Sequence, residues 1–142
     1  MVIMSVDLGL VRTGIAVSDA METLASPKTV IFERNTERLV EKICACAKEY
    51  GAKLIVVGYP KNMDGTVGER AKTCADIADM LGKASGLETV LRDERCTTVS
   101  AYTALNQSNV RGKKRKEVVD AVAACVILQD YLDWRKNAAD MR

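Results

Sequence analysis

The chain predicts an α/β fold, a mixed five-stranded sheet with helices on both faces. Three short apolar runs near the N-terminus are joined by tight turns, which reads as an antiparallel meander. Two further apolar runs follow, each coupled to a segment of helical periodicity, so two strand–helix units extend the sheet. The 142 residues are 48% hydrophobic and 28% charged, a globular composition with material for one core. The expected domain spans residues 1–136, with a loose tail over 137–142.

The elements follow in order. Residues 2–8 are apolar up to Asp7 and Gly9, and residues 14–18 resume after a turn that contains glycine. A third run, residues 29–32, follows Pro27. Asn35 or Thr36 can then cap a helix, with Glu37 near its positive end. Leu39, Ile43, Cys46, Ala47 and Tyr50 share one face of it, and Gly51 closes it. Residues 53–57 read as a buried strand and residues 58–65 as a loop. Thr66 and Glu69 fit a capping box ahead of a stripe formed by Ala71, Cys74, Ala75, Ala78 and Leu81. Another strand, residues 89–92, runs into Asp93 and Glu94. A short helix starts near Thr98, a basic loop spans 111–116, and the strongest helix spans 117–134. Its apolar face is wide enough to require burial.

Composition removes several chemistries. Histidine is absent, so Ser-His triads, histidine-dependent zinc sites and histidine bases are excluded. Aromatic residues are only 4%, too few for clustered stacking platforms. The five cysteines form no CxxC pair and read as reduced thiols that pack as small hydrophobes. No signal peptide is legible, and the longest apolar run, residues 121–128, is far too short to span a bilayer. The expectation is a cytoplasmic protein with no membrane partner. Net charge is +2, yet residues 111–116 alone carry five positive charges and leave the rest mildly acidic. Such a concentration suggests contact with a polyanion at one place.

Carboxylates are the remaining candidates for chemistry. Asp7 ends an apolar strand next to Gly9, where a backbone can approach a ligand closely. Asp120 interrupts an apolar helix, which is costly unless the charge is paired or bound to a cation. Asp93 and Glu94 end the last strand, and alternation lets only one of them face a given site. Three such groups could converge on Mg²⁺ or Mn²⁺ through oxygen ligands. Each also has an ordinary structural reading. Asp7 could cap a turn, Glu94 could form a solvated pair with Arg92 or Arg95, and Lys113 or Lys116 could neutralise Asp120. Gly65 and Gly68 at a helix start could cradle a phosphate or simply cap the helix.

These residues meet a known pattern. Asp7-Leu8-Gly9 with Arg12, Gly14 and Asp19 comes first, then Gly58-Tyr59-Pro60 with Asp64, Gly65 and Gly68. Asp93-Glu94-Arg95 with Thr97 and Thr98, and Lys116 with Asp120 and the run to Leu128, complete it. Over residues 2–134 the chain resembles the bacterial pre-16S rRNA processing nucleases, Holliday-junction-resolvase-like proteins of the ribonuclease H-like superfamily. The resemblance implies a ribonuclease H-like sheet and makes Asp7, Glu94 and Asp120 the catalytic, metal-holding acids. It implies two Mg²⁺ or Mn²⁺ ions on either side of a scissile phosphate. Gly9 would let the backbone come close, while Arg12 and Lys116, with Lys113, Lys114 and Arg115 of the basic run, would contact nucleic acid. One departure stands out. Authentic junction resolvases place an acid at the end of the strand corresponding to residues 54–57, where this chain has Gly58-Tyr59-Pro60.

The expected function is therefore a metal-dependent endonuclease acting on structured RNA in 5′-end maturation of pre-16S rRNA, as a monomer or homodimer. Alternatives are a resolvase of four-way DNA junctions and a nucleic-acid-binding factor that does not cleave. A sugar-kinase-type phosphotransferase also ends its first strand Asp-x-Gly, but it closes two such domains over its nucleotide.

Overall fold

The computed structural model describes residues 1–9, 11–59, 69–93 and 112–140, with main chain alone at 59, 69–71, 93, 112–120 and 138–140. The described elements are β1 (Val2–Asp7), β2 (Arg12–Ser18), β3 (Ala25–Phe32), α1 (Thr36–Tyr50), β4 (Ala52–Tyr59), α2 (Glu69–Ser85), β5 (Glu88–Asp93) and α3 (Gly112–Asp140). The short helix expected near Thr98 lies outside the described residues.

The sheet is mixed and five-stranded, in the order β3-β2-β1-β4-β5. β1 pairs antiparallel with β2 and parallel with β4; β2–β3 is antiparallel and β4–β5 parallel. β1 takes the centre because both its faces are apolar. Met4 and Val6 join the core under α1 and α2, while Ile3 joins the core under α3. The same alternation sorts β4, with Ile55 and Val57 on one side and Leu54 and Val56 on the other. The edge position of β3 accommodates Pro27, which lacks an amide hydrogen and sits where the β2–β3 register shifts.

α1 begins and ends as its caps dictate. Asn35 Oδ1 accepts the Arg38 amide at 3.0 Å, and Gly51 adopts φ 70°, the left-handed turn that stops a helix. Leu39, Val40, Ile43 and Ala47 are buried against the sheet, while Cys46 and Tyr50 are only half-buried. On the opposite face α3 buries Ala123, Ala124, Ile127, Leu128, Tyr131 and Leu132 at helical spacing.

Several boundaries differ from expectation: β2 begins at Arg12 and β3 at Ala25, ahead of Pro27, because antiparallel pairing extends both strands. β4 continues through Gly58, which pairs with β1 on one side and β5 on the other, and through Tyr59, which pairs with β5; this outweighs glycine's weak strand preference. The basic run is not a loop: residues 112–116 are the first turns of α3. Lys and Arg are good helix formers, and their mutual repulsion does not prevent propagation from the packed helix behind them. The tail expected from residue 137 is also helical as far as Asp140, since Asn137-Ala138-Ala139 carries no breaker.

Candidate active site at the carboxyl end of the central strand

Asp7 is the last residue of β1, and its neighbours in register on both sides are glycines, Gly14 on β2 and Gly58 on β4. Neighbours in register face the same way, so no side chain stands directly beside Asp7 across either strand. By alternation from Ile3 and Ser5, Asp7 belongs to the face covered by α3. Arg12 opens β2 two residues before Gly14, on that same face and at that same end of the sheet.

α3 fixes the position of residue 120. The buried Ser5 hydroxyl donates to the Ala124 carbonyl at 2.6 Å. Further down, Gln129 accepts from the Ala25 amide at 2.9 Å, and Arg135 reaches Glu22 at 2.9 Å. The helix therefore runs antiparallel to β1. Two residues along the strand from Ser5 to Asp7 rise about 6.6 Å. One helical turn from Ala124 back to Asp120 rises about 6 Å. Positions 7 and 120 are level, on one side of the sheet and at one end of it.

The other sequence candidates are distributed around that end. β5 ends at Asp93, in register with Tyr59 at the end of β4. Glu94 follows directly but lies outside the described residues, as do Gly65 and Gly68. Lys113, Lys114, Arg115 and Lys116 occupy the first turns of α3, where the main chain alone is described. Among the described residues no three His, Cys, Asp or Glu side chains gather, a set that leaves out Glu94 and Asp120. The donor chemistry still suits a hard divalent cation: all three candidate groups are carboxylates, and the glycines beside Asp7 leave room for an ion.

Gly9 has a local role of its own. A Cβ at this position would overlap the Arg12 carbonyl oxygen, so the turn from β1 to β2 closes only with glycine. That turn sets Arg12 relative to Asp7.

The family model described as "RuvX: Holliday junction resolvase" matches residues 1–134. The chain is 39% identical to a "Putative pre-16S rRNA nuclease" of Agathobacter rectalis, over 96% of this chain and 97% of that one. A relative of the same name from Bacillus cytotoxicus is 42% identical, over 92% and 97%. The chain belongs to the RuvX family.

Solved structures agree on the fold of this RuvX-family chain. Thermus thermophilus RuvC in complex with a Holliday junction substrate superposes with a TM-score of 0.62 at 12% identity, covering 96% of each chain. The fowlpox virus Holliday junction resolvase gives 0.59 at 13% identity, covering 95% of this chain and 99% of that one. The sheet is thus ribonuclease H-like, and the family is one of nucleases. Among the described residues no helix is long and apolar enough to cross a membrane.

The four described cysteines are free thiols, and burial pushes up those of Cys44, Cys46 and Cys125. They remain protonated packing groups, consistent with the sequence reading.

Two features had no signal of their own in the sequence. The glycine flanks of Asp7 depend on sheet register, which brings residues 7, 14 and 58 side by side. Arg92 reads as an ion-pair neighbour of Glu94 but binds Asp130 on α3, 38 residues away. Only the packing of α3 on the sheet creates that pair.

Proposed function

We propose that this chain is a metal-dependent endonuclease that hydrolyses phosphodiester bonds in structured RNA during 5′-end maturation of pre-16S rRNA. The observation that carries the reading is the carboxylate of Asp7 at the end of the central strand, between two glycines and level with residue 120 of α3. The name of the curated relatives supplies the substrate class.

In this reading Asp7, Glu94 and Asp120 hold two Mg²⁺ or Mn²⁺ ions. When bound, such ions lower the barrier to attack by water and stabilise the departing oxygen. Arg12 fixes a phosphate beside Asp7. The first turns of α3 grip the backbone further out, because the positive end of a helix carrying a basic run and no acidic residue in its first turn favours an anion. Gly9 preserves the turn that holds Arg12, and Gly65 and Gly68 provide a further phosphate contact.

A four-way DNA junction is the second substrate to test, given the resolvases of matching fold. Against it, residues 52–59 of β4 contain no acid, whereas the authentic resolvases end the corresponding strand with one. Purified protein is incubated with precursor 16S rRNA and with a four-way junction, each with Mg²⁺, Mn²⁺ or EDTA. Cleavage of the rRNA alone, abolished by EDTA, is the expected result. Cleavage of the junction alone makes the chain a resolvase, and tight binding without cleavage makes it a binding factor.

A further inference from the structure

Ser5 is a polar residue in an apolar place. It stands two residues before Asp7 on β1, fully buried on the face covered by α3. In register on either side are Ala16 of β2 and Val56 of β4, both in the core under that helix. Its hydroxyl donates to the Ala124 carbonyl at 2.6 Å. In an α-helix that carbonyl already accepts the amide four residues on, so α3 does not need the hydroxyl to satisfy its own backbone. Alanine in place of Ser5 would leave no polar group unpaired, and the net contribution of one such bond to folding is small.

The bond matters for placement. Packing interlocks most firmly where side chains are large, at Ile127, Leu128, Tyr131 and Leu132, in the part of α3 away from Asp7. At the level of Ser5 the facing groups include Ala16 and Ala124, fully buried but small. Apolar contact is non-directional, so small side chains resist sliding and rolling of the helix only weakly. A hydrogen bond restricts both distance and angle. Among the described residues, the Ser5–Ala124 bond is the fully buried one between a strand and α3, and residue 120 lies one helical turn from it.

We infer that Ser5 is a positioning residue of the nuclease site: its bond to the Ala124 carbonyl sets the slide and roll of α3 so that Asp120 stands level with Asp7. The inference rests on the nuclease reading of that site. Groups on separate elements must be held to within about 0.5 Å of the productive geometry to share an ion. Ser5 touches neither metal nor substrate in this role and acts only through the helix.

The test compares full-length wild type with Ser5→Ala and Ile127→Val. Each is melted across a Mn²⁺ series without nucleic acid, and the half-saturating Mn²⁺ concentration is read from the rise in melting temperature. Ile127→Val removes one methylene from the same interface and leaves the Ser5 bond intact, so it controls for lost stability. Half-saturation is expected to rise about tenfold in Ser5→Ala and to stay within about twofold of wild type in Ile127→Val, although the latter melts lower. On precursor 16S rRNA, kcat of Ser5→Ala falls about tenfold while KM changes less than about twofold, because the basic run attracts phosphates over a Debye length of about 10 Å and is insensitive to so small a shift. Ser5→Thr keeps the hydroxyl and restores half-saturation, even where its extra methyl lowers the melting temperature. Wild-type half-saturation in Ser5→Ala, an equal rise in Ile127→Val, or a failure of Ser5→Thr to restore it overturns this inference and leaves the nuclease reading standing. If wild type shows neither a Mn²⁺-dependent rise nor cleavage, the nuclease reading falls and the inference falls with it.

Discussion

The proposed chemistry rests on one side chain above the others, Asp7. It ends a strand, and the positions beside it in register are the glycines Gly14 and Gly58. Asp7→Ala is therefore expected to fold normally and to lose cleavage. Divalent ions should raise the melting temperature of the wild type, because binding to the folded state alone stabilises it by mass action. That rise should vanish in Asp7→Ala, and calorimetry with and without Mg²⁺ reads it; an undiminished rise would place the ion elsewhere. Gly9 is the opposite kind of residue. Gly9→Ala meets the Arg12 carbonyl, so a destabilisation of about 1–3 kcal/mol is expected in urea unfolding. Asp7 stood out in the sequence as a charge at the end of an apolar run beside glycine, a position that equally suits a turn cap. The partner of Arg92 was not legible, because Asp130 becomes its neighbour only through tertiary packing.

At the scale of the element, α3 connects core and site. Its distal half packs Ile127, Leu128, Tyr131 and Leu132 on the sheet, and its first turns carry the basic run. The two parts answer to different tests. Neutralising Lys113, Lys114 and Arg115 together is expected to leave melting almost unchanged. The same change should flatten the salt dependence of RNA binding by about 0.7–0.9 for each phosphate that is no longer neutralised, and an unaltered slope would make these turns merely solvated. Asp120 sits between the two parts, one turn before the buried Ala124. If Asp120 is one of three acids of the proposed metal site, Asp120→Asn should melt no lower than wild type in EDTA, since a repelling charge has gone. A marked fall would identify a structural ion pair instead, because removing one partner strands the other. The apolar face of this helix was evident from periodicity. Its start was not, since a run of like charges at the positive end of a helix reads as loop until the packed body behind it is seen.

At the scale of the whole molecule, two described carboxylates outside the proposed metal site, Glu33 and Asp19, contribute acid sensitivity. Glu33 is held below the usual glutamate value of 4.5 by its bond to Lys42, at 3.0 Å, and by the Asn35 amide. Asp19 is held below its usual 3.8 by the Leu24 and Thr23 amides. A carboxylate lowered by folding stabilises the native state above its unfolded value, and the effect is lost as pH falls through the folded one. The melting temperature should thus stay level from neutral pH down to about 5 and decline below about 4.5. Glu33→Gln should remove part of that decline, and an identical profile in the variant would show that Glu33 contributes none of it.

The sequence by itself determined the order of the described elements, the mixed sheet and the two-sided core, because strand and helix periods and their breakers are local properties of the chain. It also singled out Asp7 and Asp120, whose charges are costly in apolar surroundings and so demand a reason. Tertiary structure alone decided which residues stand beside Asp7, that β4 carries Gly58 into the row between Asp7 and Arg92, and that Arg92 faces Asp130 and Trp134. Register and helix placement depend on the fit of whole faces against one another. That fit is a sum over many distant contacts, which no short window of sequence contains.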